Sequence, residues 1–217
     1  MKILIITGGG FDLTVAKELV NQGSLCEYDY CIAADRGVKY CFDLGITPDY
    51  CIGDFDSFEG GFEGVKAMYS GELKRYPCEK DDTDTHLALN AAIELKATEI
   101  DILGATGTRL DHVLANINIL YVAYKAGVVA RIIDGNNVIS IMEDRALFAK
   151  NECFGKYFSI IPYTEKCEGV TLKGFKYNLS DGIIERASSL GVSNEVVEDF
   201  AEITIKSGTA IIIQSRD

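Results

Sequence analysis

Three short stretches of this 217-residue chain crowd carboxylates together: "GDFDS" at 53–57, "KDDTDTHLAL" from Lys80 and "TRLDH" from Thr108. Asp54 and Asp56, one residue apart, can share one divalent cation. Asp81 and Asp84 stand three residues apart at the start of a helical pattern, so they project from neighbouring positions on one face. Like charges that close raise each other's pKa and favour a shared proton or a shared cation. Mg2+ suits such a set, being hard, partial to carboxylate oxygen and water, and usually bound beside substrate phosphates. Asp54, Asp56 and Asp84 are its expected ligands. Structural roles compete for each acid: paired acids in a loop are commonly just solvated, and Asp81 or Asp82 can cap the helix. A cap uses one acid and leaves the others to be explained.

The stretch "GATGTRLDHVLANINIL" adds groups that suit an anion. Arg109 can fork onto a phosphate while the helix N-terminus offers free amides. Asp111 and Asn118 are seven residues apart, two turns along one face. His112 is a candidate ligand contact, with a partly buried structural role as its competitor, and His86 is a weaker one. "TGGG" at 7–10 would let backbone amides approach a phosphate, but it lacks the full GxGxxG spacing, and a tight turn explains it equally well.

Apolar strands alternating with amphipathic helices must position these groups, a rhythm that implies a parallel sheet with crossover helices. Strands are read in "KILIITGG", "YDYCIAADRG", "PDYCIGDF", "LKRYP", "TEIDILGAT" and "VVARIIDG". Helices are read in "FDLTVAKELVNQG", "VKYCFDLG", "DTDTHLALNAAIELKA" and "RLDHVLANINILYVAYKAG". Ligands of such sheets bind beyond the carboxyl ends of the strands. The residues that follow successive strands are Gly8–Gly10, then Asp35, Arg36 and Gly37, then Asp54, Asp56 and Ser57, then Lys80, Asp81, Asp82 and Asp84, then Arg109, Asp111 and His112. The loops at the opposite ends are bland. Past "DGNN" the pattern changes to short strands in "VISIMED", "YFSIIPY", "GVTLKG", "AEITIKSG" and "TAIIIQS" with no useful helix between them, which suggests an antiparallel sandwich or barrel. The expected division is an α/β unit over 1–135 and a β-sandwich over 136–217.

Composition limits the partners. With 33 acidic against 21 basic residues the formal charge is −12, which repels nucleic acid and anionic membranes. No stretch approaches the ~20 apolar residues of a membrane span, and the opening "MKILIITGGG" reads as a strand rather than a signal peptide. Seven cysteines without a CxxC pair read as free, mostly buried thiols of a cytoplasmic protein, with zinc a poor second.

In order along the chain, "AADRG", "GDFDS", "KDDTD" and "GxxGxRxDH" resemble the signature series of the thiamin pyrophosphokinase family, and "EGVTLKGFKYNL" and "SLGVSNE" extend the likeness into the second unit. The resemblance implies a Rossmann-like parallel sheet domain for the nucleotide joined to a β-sandwich for thiamin. It implies Mg2+-dependent transfer of the pyrophosphoryl group of ATP to thiamin, giving AMP and thiamin diphosphate. It implies a homodimer with thiamin sites where the subunits meet. On the positions that match, Asp54, Asp56 and Asp84 are the metal-binding and catalytic acids and Asp81 and Asp111 are further active-site acids. Asp35, Arg36, Gly37, Arg109, His112 and Asn118 line the nucleotide, and Ser193 and Asn194 meet the thiamin pyrimidine. Some members stack a tryptophan on thiamin; this chain has none, and the sequence does not single out the Tyr or Phe that replaces it. Two rival readings are a haloacid-dehalogenase-like phosphohydrolase with the first Asp of "DFDS" as nucleophile, and a non-catalytic thiamin or nucleotide sensor.

Overall fold

Burial along whole strands marks the first sheet as one covered on both faces, because Ile3–Ile6, Cys31–Ala34 and Tyr50–Gly53 are buried without alternation. The computed structural model describes residues 1–10, 13, 14, 16, 17, 28–56, 58, 60–77 and 81–217. The chain divides into Met1–Gly135 and Asn136–Asp217. In the first unit, β1 (Lys2–Ile6), β2 (Tyr30–Ala34), β3 (Tyr50–Gly53), β4 (Glu72–Arg75), β5 (Glu99–Leu103) and β6 (Val129–Ile133) pair in parallel in the order β4-β3-β2-β1-β5-β6. The strand order reverses between β1 and β5, the kind of switch point at which such sheets open a crevice. The charged strand β4 pairs with β3 only along Glu72–Arg75, and its exposed charges suit a sheet edge.

Helices α1 (Gly37–Asp43), α2 (Gly61–Met68), α3 (Asp84–Glu94) and α4 (Leu110–Lys125) cover this sheet. α3 lies on β1, β2 and β3 and packs against α4. Helix α2 was not legible in the sequence: it contains Gly61 and Gly64, starts on the left-handed Gly60, and buries only Val65. The helix expected in "FDLTVAKELVNQG" falls largely outside the described residues; positions 13, 14, 16 and 17 are helical. A buried acid is built into the sheet: Asp101 accepts Arg131 Nε at 2.6 Å and the Tyr28 hydroxyl at 2.5 Å.

The second unit is antiparallel. β7 (Asn137–Met142), β13 (Ala210–Ser215) and β9 (Tyr157–Pro162) form one run, and β11 (Leu179–Glu185), β10 (Lys166–Lys173), β12 (Phe200–Thr204) and β8 (Arg145–Ala149) form a four-stranded sheet. Inward residues of both, among them Phe158, Ile160, Ile212, Val170, Leu172, Ala201 and Ile203, meet in one core, as in a sandwich. Strands β8 and β11 were missed because each lies at an edge of its sheet and buries little, so the apolar alternation is weak. Among the described residues no helix is long and apolar enough to cross a membrane.

Candidate active site

Beyond β3 the chain turns on Phe55, a bulky residue at φ +60° whose ring is fully buried 6.0 Å from that of Phe62. Left-handed backbone costs such a residue about 1–2 kcal/mol, which burial of the ring, at about 2–3 kcal/mol, offsets. Anchoring Phe55 inward holds the two flanking acids in a fixed turn: Asp54 is half-buried, Asp56 is exposed, and the Asp56 amide donates to Asp54 Oδ1 at 3.1 Å.

The end of β2 delivers Asp35 to the same place. Its amide donates to Ile52 O at 2.9 Å. Gly53 permits the approach, since a Cβ there would lie 3.1 Å from the Asp35 backbone. One carboxylate oxygen each from Asp35, Asp54 and Asp56 lie within 4.8 Å of one another. Burial pushes the Asp35 carboxyl up, the Arg36 amide opposes this, and the charges of Asp84, Asp54 and Asp56 push it further. Asp35 Oδ1 is buried and accepts no hydrogen bond among the described residues. A buried oxygen without a donor among other carboxylates is one that a hard cation satisfies, so the donor set fits Mg2+. Relative to the sequence set of Asp54, Asp56 and Asp84, the geometry puts Asp35 in the third near position, with Asp84 acting on it by charge.

Asp84 opens α3 but does not cap it, and neither Asp81 nor Asp82 does. Thr83 is the cap, its Oγ1 accepting the His86 amide at 3.2 Å. Asp82 instead pairs with His86 Nδ1 at 3.0 Å, and Asp81 is exposed. The hydroxyls of Thr7 and Thr85, both buried, lie 2.9 Å apart and pin the first turn of α3 to the end of β1, which sets where Asp84 stands. Ser57 and Lys80 lie outside the described residues.

The glycine run after β1 turns out to be a packing device. The Gly9 amide donates to Gly104 O at 2.8 Å and the Gly10 amide to Thr106 O, so these two amides serve the neighbouring loop, not a phosphate. A Cβ on Gly9 would lie 2.3 Å from Gly104 O. Arg36 is exposed after β2, and Gly37 starts α1 so close to β1 that a Cβ would stand 1.9 Å from Ile6 O.

Arg109 precedes α4, and Asp111 lies in its first turn. Arg109 forks onto Asp111, Nη2 to Oδ2 at 2.6 Å and Nε to Oδ1 at 3.3 Å, with both side chains exposed. The guanidinium holds the Asp111 carboxyl below the usual carboxylate range. His112 and Asn118 are exposed. Asn116, which the sequence reading passed over, is buried and donates to Ala105 O at 2.7 Å, tying α4 to the "GATG" loop. Its signal was present: a polar residue in the stripe of Ile119, Leu120 and Ala123, the buried face of α4.

In the second unit Ser193 takes φ +58° and its amide donates to Ser159 Oγ at 3.0 Å. Asn194 is buried, and its side-chain amide holds the backbone of Tyr177 from both sides.

Residues 23–132 match the family model described as thiamin pyrophosphokinase, catalytic domain, and residues 140–211 match thiamin pyrophosphokinase, vitamin B1 binding domain. The thiamine pyrophosphokinase of Bacillus subtilis (strain 168) is 34% identical over 219 residues, covering 100% of both chains. The chain belongs to the thiamin pyrophosphokinase family. The crystal structure of the Bacillus subtilis thiamine pyrophosphokinase aligns over 100% of both chains with a TM-score of 0.85 at 33% identity. That of thiamin pyrophosphokinase from Geobacillus thermodenitrificans aligns over 100% of this chain and 98% of its own with a TM-score of 0.83 at 31% identity. The family's fold is thus the α/β sheet with a β-sandwich described above.

Proposed function

We propose that the chain transfers the pyrophosphoryl group of ATP to thiamin. The hydroxyethyl oxygen of thiamin bonds to the β-phosphorus, the bond between that phosphorus and the α-phosphate oxygen breaks, AMP leaves, and the hydroxyl proton passes through a carboxylate to water. The observation that supports this best is the convergence of Asp35, Asp54 and Asp56 at the ends of β2 and β3 around a buried oxygen that has no donor among the described residues, in a chain of this family. Asp35, Asp54 and Asp56 would hold Mg2+, with Asp84 beside them; when bound, the ion neutralises polyphosphate charge, the main catalytic need of such transfers. Asp84 is set in place by the Thr7–Thr85 contact. Arg109 is aimed by Asp111, and the pair is suited to let the guanidinium turn onto a phosphate. Asp111, held ionised by Arg109, serves better as that orienter than as the proton acceptor.

In this reading the first unit binds ATP and the second thiamin through the loop of Ser193 and Asn194. The chain works as a homodimer with thiamin sites at the subunit interface. A reducing cytoplasm suits its free cysteines Cys31, Cys41, Cys51, Cys153 and Cys167. Neither rival reading gains an observation in its favour, and the sandwich that a phosphohydrolase would leave without a task matches the vitamin B1 binding model. The deciding experiment incubates the protein with Mg2+, ATP and thiamin and separates the products by chromatography. Equal amounts of AMP and thiamin diphosphate are expected; ADP or free phosphate in their place, or no product, overturns the proposal.

A further inference from the structure

β4 ends on Arg75, which lies opposite Gly53 in the parallel register, and the next amide, that of Tyr76, donates to Gly53 O at 2.9 Å. Arg75 is thus placed beside the residue that precedes Asp54, at the carboxyl edge where the acids converge. Residues two apart in a strand share a face. Leu73 packs against the core that Val65 of α2 enters, so Arg75 stands on the α2 side as well. There its guanidinium carbon lies 5.1 Å from the centroid of the Phe62 ring. Phe62 in turn leans on Phe55, the residue between Asp54 and Asp56.

Arg109, Arg131 and Arg145 each hold a carboxylate. Arg75 holds none among the described residues, in a chain of net charge −12 and beside its densest group of acids. An aromatic face takes the flat of a guanidinium and leaves its N–H edge free. The stack therefore steadies the head group and keeps its donors for an anion. That anion has to be one the acids tolerate, which is a polyphosphate carrying the hard cation that Asp35, Asp54 and Asp56 fit. Strand order assigns the phosphate. The crevice of such a sheet opens where the order reverses, between β1 and β5, and a nucleotide enters there. Outward from that point the edge passes β2 and β3 with their acids, and β4 follows one strand spacing, about 4.8 Å, further on. A phosphate chain laid from the crevice over the acids has its terminal group at Arg75. We propose that Arg75 is a phosphate-binding residue of the site that donates to the terminal phosphate of ATP, the group that becomes the outer phosphate of thiamin diphosphate, with Phe62 as its positioning residue. This rests on ATP being the pyrophosphoryl donor.

The test compares the wild-type chain with Arg75→Ala and Phe62→Leu by calorimetric titration of ATP, ADP and AMP in excess MgCl2, together with steady-state kinetics. A hydrogen bond to a charged group is worth about 10-fold or more in affinity. Arg75→Ala is expected to lose about 10-fold in affinity for ATP and none for ADP or AMP, with KM for ATP raised and KM for thiamin unmoved. Phe62→Leu keeps an apolar side chain against Phe55 but removes the flat face. It is expected to lose about 3-fold for ATP, again with ADP and AMP unmoved, a selectivity that a merely structural role of the stack would not produce. Wild-type ATP affinity in Arg75→Ala, or equal losses for ATP and ADP, overturns the assignment. A wild-type chain that binds ATP without making thiamin diphosphate, while Arg75→Ala loses that binding selectively, overturns the proposed function and leaves the Arg75 contact standing. No ATP binding by the wild-type chain overturns both.

Discussion

The Asp56 amide donates to Asp54 Oδ1 at 3.1 Å across Phe55, so a buried aromatic ring sets the spacing of two carboxylates. Truncating that ring removes both the core contact with Phe62 and the anchor of the turn. Phe55→Ala is expected to destabilise the fold by about 3 kcal/mol and, at temperatures where it remains folded, to weaken Mg2+-ATP binding. A urea melt with a parallel ATP titration checks both; unchanged ATP affinity in the folded variant would show that the turn does not depend on the ring.

Asp35→Asn separates stability from function. Folded Asp35 keeps its proton to higher pH than a free aspartate does, so the folded state binds more protons in that window. Stability therefore falls as pH rises from the ordinary carboxylate range through the folded pKa. Asparagine removes the charge and that loss with it. The variant is expected to melt about 2 °C or more above wild type at neutral pH and to be inactive. Added MgCl2 should raise the wild-type melting temperature and leave that of Asp35→Asn where it was. A variant that melts lower at neutral pH, or responds to Mg2+ like wild type, contradicts this account.

The fork between Arg109 and Asp111 is exposed, so it contributes little to folding. Arg109→Ala is expected to melt like wild type and to raise KM for ATP about 10-fold, a loss that Arg109→Lys does not restore because an ammonium cannot reproduce the planar fork. Full activity in the lysine variant would mean that the position needs only a charge.

Asp101 supplies the opposite case. It is 2% exposed, bound to Arg131 and Tyr28, and remote in role from the strand ends that carry the acids. Asp101→Ala leaves Arg131 without its closest carboxylate in a half-buried setting and is expected to cost about 3 kcal/mol or more, with kcat per folded molecule unchanged. Guanidinium melts and active-site titration together decide it.

How far the chain could be read beforehand follows from what each feature depends on. Fully buried strands such as Ile3–Ile6 and Tyr50–Gly53 announce themselves as apolar runs, and the alternation of strand and helix implies the parallel sheet. Edge strands β8 and β11 and the glycine-containing α2 have no such imprint, because burial on one side or along one residue leaves little periodicity. The helix cap went to Thr83 rather than to Asp81 or Asp82, and the turn that follows is pinned by the Thr7–Thr85 contact across 78 residues of chain.

The sequence by itself determined which side chains are available for chemistry and that they follow strand ends, since both depend on residue type and local pattern. Tertiary structure alone decided which of them meet. Asp35 reaches Asp54 and Asp56 because β2 and β3 are neighbours and Gly53 has no side chain in the way. The amides of Gly9 and Gly10 are spent on the loop after β5 because β1 and β5 are neighbours too. Asn116 rather than Asn118 enters the core because α4 turns that face toward Ala105. Each outcome depends on contacts between residues distant in sequence, and local pattern holds no record of those.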